Sequence, residues 1–297
     1  MTKADWIAVD WGTTNLRGWA MSASGTVLAE AASEAGMGGL SRDGFAPALE
    51  ALAGGWADGP TPVIACGMVG SRQGWVEAPY ATVPCPALPD GLAEAPVAGD
   101  LQAHIIPGIR QMDPADVMRG EETQIAGFLS LNPNWDGVIC LPGTHTKWVH
   151  VSADEVVSFR TAMTGDLFAA IAGHTVLRHS VGDGWDDEAF AGAVEQAMDR
   201  PERLSARLFS IRAEGLLHGL APAAARARLS GLLIGAELAA MKPYWLGQQV
   251  AVVGGGALAR LYVAALAAQS VPATQADATR ATLAGLTAAY RRWKDRE

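Results

Sequence analysis

The chain has 297 residues and a net charge of −9, from 22 Lys and Arg against 31 Asp and Glu. That balance excludes roles that need surplus positive charge, such as sequence-independent nucleic-acid binding or adhesion to an anionic membrane. Hydrophobic residues make up 49%, enough to build the core of one large domain or two ordinary ones. The cysteines, Cys66, Cys85 and Cys140, are odd in number and widely spaced. They predict neither a disulfide framework nor a zinc site. The opening MTKADWIAVDWG lacks a signal-peptide core, and no apolar run approaches the ~18 residues of a membrane span. The expectation is a soluble, reduced, cytoplasmic protein.

In chain order, residues 5–10 (DWIAVD) predict a buried strand ending at a Gly-Thr-Thr turn. Residues 16–22 and 26–32 predict two more strands joined by a hairpin turn at Ser24-Gly25. A helix is expected over 44–53 and a strand over 61–66, followed by the loop GMVGSRQGWVEAPY. The Pro- and Gly-rich stretch 77–99 reads as irregular but packed, and a strand near 102–106 leads to Pro107-Gly108. The second half begins with a helix near 115–130, then a strand at 137–141, the turn PGTHT and the strand KWVHV. A short strand near 155–161 precedes helices at about 165–179, 186–199, 201–218 and 222–241. A strand at 249–253 runs through three glycines into a helix at 257–268. A short SVPAT strand and a last helix over 279–296 complete an α/β pattern.

Six segments carry candidate chemistry. In DWGTTNLRGW, Gly12 lets backbone amides approach an anion, Thr13, Thr14 and Asn15 add donors, and Asp10 can hold a hydrated Mg²⁺. LPGTHTKW offers a second such turn, with Gly143, Thr144 and Thr146, and with Lys147 as a point charge for a phosphate. His145 lacks an evident metal-ligand partner, and His174 and His179 do not share a helix face well. The two turns form a weak internal repeat, IAVDWGT against VICLPGT, each followed by a strand with a cation, Arg17 or Lys147. In VVGGGALARLY, Gly254, Gly255 and Gly256 stand between a strand and a helix N-terminus. The same run fits G-x-G-x-x-A with Asp277 downstream, so a dinucleotide oxidoreductase is a rival reading, though too little chain follows to build that domain. MRGEETQIAG places Glu121 and Glu122 early in a helix, and TAMTGDLF does the same for Asp166. For these three acids, dipole complementation competes with a catalytic role. GMVGSRQGWVEAPY sets Arg72, Gln73 and Trp75 in a loop suited to a small polar ligand, with the guanidinium for a carboxylate and the indole for a sugar face.

Taken in order, these six segments resemble the 2-dehydro-3-deoxygalactonokinase family, within the acetate kinase/sugar kinase/Hsp70/actin superfamily. The resemblance implies two ribonuclease-H-like α/β domains around a cleft for ATP and substrate. The first domain is expected over 1–125 with the helix 279–297, the second over 126–278. Gly12, Thr13 and Thr14, then Gly143, Thr144, Thr146 and Lys147, are implied to bind ATP phosphates. Asp10 is implied toward Mg²⁺, and Gly254, Gly255 and Gly256 toward adenosine. Arg17, Arg72, Gln73 and Trp75 are the expected substrate contacts. The second turn lacks an acid that many superfamily members carry, which leaves the general base open among Glu121, Glu122 and Asp166, with Glu121 preferred. The implied reaction is ATP-dependent phosphorylation of 2-dehydro-3-deoxy-D-galactonate at its terminal hydroxyl, in galactonate catabolism. Alternatives are a kinase of a related sugar or sugar acid, and a nucleotide-gated sugar-acid binding protein without transfer. The expected partner is a small sugar acid, with no nucleic acid and no membrane, and with a homodimer as the assembly considered.

Overall fold

The computed structural model describes residues 2–96 and 98–296. The chain separates into two compact units. The first is Met1–Asp136, Val151–Ser158 and Asp277–Glu297, and the second is Gly137–His150 and Phe159–Ala276.

The first unit opens with β1 (Trp6–Trp11), β2 (Leu16–Met21) and β3 (Val27–Ser33), then α1 (Phe45–Ala53) and β4 (Thr61–Gly67). The stretch read as irregular holds three short strands, β5 (Tyr80–Thr82), β6 (Cys85–Pro86) and β7 (Ala93–Glu94). They are followed by β8 (Leu101–Ile105), β9 (Gly108–Met112), β10 (Ala115–Met118) and α2 (Glu121–Leu131). The main sheet has the order β3-β2-β1-β4-β8-β7. Strand β1 runs antiparallel to β2 and parallel to β4, and both of its faces are covered. With side chains alternating at period two, Ile7, Val9 and Trp11 pack with Phe45 and Leu49 of α1. Trp6 and Ala8 point the other way, among Leu286, Ala289 and Tyr290.

Next come β11 (Gly137–Leu141), β12 (Thr146–Ser152), β13 (Glu155–Ala162), α3 (Thr164–His174) and α4 (Asp187–Asp199); the end of β12 and β13 up to Ser158 belong to the first unit and the rest to the second. After these come α5 (Leu204–Leu217), α6 (Pro222–Ala240), α7 (Lys242–Trp245), β14 (Val250–Val253), α8 (Gly256–Ala268) and β15 (Ala273–Ala276). The sheet has the order β15-β14-β11-β12-β13-β6, with β14 parallel to β11 and β15 parallel to β14, as β4 is parallel to β1 in the main sheet. The last helix, α9 (Ala278–Lys294), returns to the first unit.

Two expectations need correction. The helix expected from 115 begins at Glu121, because residues 115–118 pair with β9 as a strand. The division expected at 125/126 falls inside α2, and the units part at Asp136/Gly137. Helix α2 stays with the first unit because it lies backbone to backbone on α9, where a Cβ on Gly127 would overlap the Ala281 carbonyl and one on Gly285 the Thr123 carbonyl. No helix among the described residues is long and apolar enough to cross a membrane.

Alanine in place of a mid-helix glycine ordinarily gains up to about 1 kcal/mol. At Gly127 the overlap should reverse the sign. Gly127→Ala is expected to lower the free energy of unfolding by about 1–3 kcal/mol in urea denaturation. An unchanged or higher stability would show that α2 and α9 do not pack this closely.

Candidate active site

The β1–β2 turn closes when the Gly12 N–H donates to the Asn15 carbonyl at 2.9 Å. Thr13, Thr14 and Asn15 are exposed. The segment behind the turn fixes it, with Met37 N–H donating to Gly12 O at 3.0 Å and Gly38 N–H to Thr13 O at 2.9 Å. Gly36 has to be glycine there, because a Cβ would overlap the Thr13–Thr14 backbone. Asp10, one residue before the end of β1, is half-buried, and its Oδ2 accepts from Arg17 at 2.5 Å. Arg17, expected at the substrate, is thus committed to Asp10 and also lies over the Trp19 ring. The Cys66 thiol sits 3.9 Å from the other Asp10 oxygen. Burial, with the Asp10 and Glu122 charges nearby, pushes Cys66 well above the usual thiol range, so it stays a neutral donor.

At the start of α2 the two adjacent acids separate. Glu122 is fully buried, accepting the Gly120 N–H at 2.6 Å and the Thr123 hydroxyl at 3.0 Å. It is a cap inside the core and cannot meet a ligand, which removes it from the candidate bases. Glu121 is half-buried, and its Oε2 accepts the Arg119 N–H at 3.1 Å.

The loop after β4 is also corrected in part. Arg72 and Gln73 are exposed at its tip. Trp75 is 5% exposed and packs in the core, its ring parallel to Phe45 at 6.2 Å and edge-on to Trp11. It is no platform for a sugar. Arg119, which the sequence reading passed over, lies beneath the loop. It donates to the Ala78 carbonyl at 2.8 Å and stacks over Tyr80 at 4.3 Å.

In the second unit, Gly143 is half-buried and Thr144 and His145 are exposed on the β11–β12 turn. The N-terminus of α3 lies against the turn. Asp166 N–H donates to Thr144 O at 3.1 Å, and a Cβ on Gly165 would come within 2.5 Å of the Gly143 carbonyl. The Asp166 carboxylate lies 2.6 Å from His145 Nε2. Thr146, expected at a phosphate, is wholly buried and bonded to the Tyr262 hydroxyl at 2.9 Å. Lys147 is buried too, its Nζ donating to Thr161 Oγ1 at 2.9 Å, so it presents no open cation at the turn. Gly143 and Thr144 contribute to the wall of a cavity of about 980 Å³, with Phe168, Trp185, Leu258 and Leu261. Gly255 and Gly256 are exposed and lead into α8, whose residues from Ala257 onward line that cavity. The three glycines themselves stand outside its lining.

The family model described as 2-keto-3-deoxy-galactonokinase matches residues 10–289. The chain belongs to that family. It is 43% identical over 300 residues to a probable 2-dehydro-3-deoxygalactonokinase of Rhizobium meliloti, covering 98% of each chain. It is 37% identical over 292 residues to the 2-dehydro-3-deoxygalactonokinase of Escherichia coli, covering 95% of this chain and 96% of the other. The crystal structure of a Sinorhizobium meliloti protein with the same assignment superposes with a TM-score of 0.91 at 42% identity, over 97% of this chain and 99% of that one. A nucleotide-bound activator of a dehydratase from Clostridium difficile shares the fold alone, with a TM-score of 0.53 at 14% identity, over 98% of this chain and 96% of that one. Membership in the galactonokinase family displaces the dinucleotide reading. Asp277, its proposed ribose ligand, instead caps α9 by accepting the Arg280 N–H at 2.7 Å.

Glu122 makes the site's stability depend on pH. Burial first, and then the Glu121 charge, raise its pKa from 4.5 to about 7. The folded chain therefore holds a proton that the unfolded chain releases between those values. Its contribution is present below pH 4.5 and lost as pH rises through about 7. Glu122→Gln, which keeps an acceptor for Gly120, should abolish a stability change of about 3 kcal/mol over that window. Denaturation series on both proteins check it, and parallel pH profiles would contradict it.

Proposed function

We propose that the protein transfers the γ-phosphoryl group of ATP to the terminal primary hydroxyl of 2-dehydro-3-deoxy-D-galactonate, giving the 6-phosphate and ADP. The observation that carries this reading is the Gly143–Thr144 turn at the wall of a largely apolar cavity beside α8. A cavity of that kind accepts a nucleoside while the turn meets its phosphates. Gly143 and Thr144 bind phosphate in the second unit, and Gly12, Thr13 and Thr14 do so in the first. Phosphoryl transfer rests on positioning and charge neutralisation, and turns fixed from behind supply donors that need no reorganisation. Gly255 and Gly256, open at the head of α8, stand near the nucleoside.

Asp10 suits Mg²⁺ by its donor chemistry. Oδ2 accepts from Arg17, while Oδ1 takes only the weak Cys66 thiol at 3.9 Å and keeps a lone pair for a hydrated ion, and a single carboxylate with waters and phosphate oxygens is an ordinary Mg²⁺ shell. The described residues contain no group of three or more His, Cys, Asp and Glu placed to hold a metal. When bound, the ion would neutralise phosphate charge.

Arg72 and Gln73 meet the sugar-acid carboxylate from the exposed loop tip. Glu121, with Glu122 buried beside it, accepts the hydroxyl proton as the oxygen attacks phosphorus. The expected location is the cytoplasm, where an odd number of widely spaced cysteines stays reduced.

Purified protein incubated with ATP, Mg²⁺ and a panel of 2-keto-3-deoxy sugar acids should release ADP fastest with the galactonate-derived acid. Nucleotide binding without ADP release would leave a binding protein of the same fold. Within that assay, Glu121→Gln is expected to lower kcat by about 10²–10⁴-fold, and Asp166→Asn by far less. The reverse order would assign the base to Asp166, which His145 orients. Arg72→Lys should raise the KM for the sugar acid and leave that for ATP, because the bidentate fork is lost. A change confined to ATP would place Arg72 at the phosphates.

A further inference from the structure

Glu237 is the only acid in α6, and it is 5% exposed. Its Oε1 accepts the Trp148 indole N–H at 2.7 Å. Its Oε2 accepts the Tyr262 hydroxyl at 2.8 Å and also the Thr164 hydroxyl. Burial raises its pKa, and these three donors oppose the shift. A buried carboxylate so fully bonded costs desolvation that an apolar residue would avoid, so it calls for a reason beyond stability.

The bonds lead to one place. Thr164 begins α3, and the next two residues are those that touch the turn: Gly165 packed on Gly143 and Thr144, and Asp166 donating its N–H to Thr144 O at 3.1 Å. Tyr262 gives its single hydrogen to Glu237 and so accepts from Thr146, 2.9 Å away at the other end of the turn. One carboxylate thus reaches both sides of His145, through Thr164 to Thr144 and through Tyr262 to Thr146. Thr164 and Tyr262 also line the cavity.

We infer that Glu237 is a positioning residue that sets the shape of the Gly143–Thr146 turn, and through it the affinity for nucleotide phosphates. The inference rests on the proposed reading of that turn as a phosphate site. Its donors work at a distance that a loosened turn would not hold, while the sugar-acid loop belongs to other residues.

The test compares wild type, Glu237→Gln and Tyr262→Phe by melting temperature, by steady-state kinetics and by calorimetric titration with ADP alone. Glu237→Gln trades an acceptor for a donor, and Tyr262→Phe removes the hydroxyl that joins Glu237 to Thr146. Both should raise the Kd for ADP and the KM for ATP by about fivefold or more, with the sugar-acid KM within about twofold. Should Glu237→Gln fail to fold, Tyr262→Phe decides alone. A lowered melting temperature with ADP affinity unchanged would mean a structural role only and overturn the inference. A wild type that binds ADP but does not phosphorylate the sugar acid defeats the proposed function while leaving this comparison intact. A wild type that binds no ADP defeats both.

Discussion

A hairpin turn whose side chains lie in solvent has no core of its own to hold it. Both glycine turns here are held instead by backbone pressed against backbone. Gly36 does this behind Thr13 and Thr14, and Gly165 behind Gly143 and Thr144. Any larger residue at either glycine would push a chain segment off the turn. The turns are therefore held in shape before a ligand arrives, which is what the proposed phosphate role demands. The same device recurs in the first unit's framework, where α2 lies on α9 through Gly127 and Gly285 and so fixes the helix start that carries Glu121.

Two buried carboxylates complete this arrangement in different ways. Glu122 is spent locally, on the amide two residues before it, and what it fixes is the first turn of α2. Its neighbour Glu121 is thereby left as the acid that faces outward. Glu237 works over long sequence distances, joining α6 to β12, α3 and α8 through three side-chain donors. Each carboxylate carries a raised pKa because burial outweighs the bonds it accepts. Neither is available to a substrate. Each instead fixes the backbone and side chains bonded to it.

Much of this was legible in the sequence. The hairpins, the glycine turns, the strand-to-helix turn at 254–256 and the family follow from short-range pattern, because turn chemistry and strand alternation are local. What escaped reading depends on tertiary packing. Trp75 sits in a polar, glycine-flanked loop, and nothing local says that its indole folds back onto Phe45. Thr146 could have been placed. It lies two residues from Trp148 on β12, so both share the inward face, and Lys147 between them faces the other way. Glu237 also left a signal, as the one acid in a helix built mostly of Ala, Leu and Gly. The strand 115–118 was hidden by a four-residue length that gives no period to count.

On the proposed function, the β11–β12 turn, fixed from behind by α3 and Glu237, receives the nucleotide's phosphates while its base occupies the cavity beside α8. A crystal structure with a non-hydrolysable ATP analogue tests this most directly. It should show phosphate oxygens within hydrogen-bond reach of the Gly143 and Thr144 amides, and the base among Phe168, Leu258 and Leu261. Phosphates bound away from that turn, with the cavity empty, would contradict it.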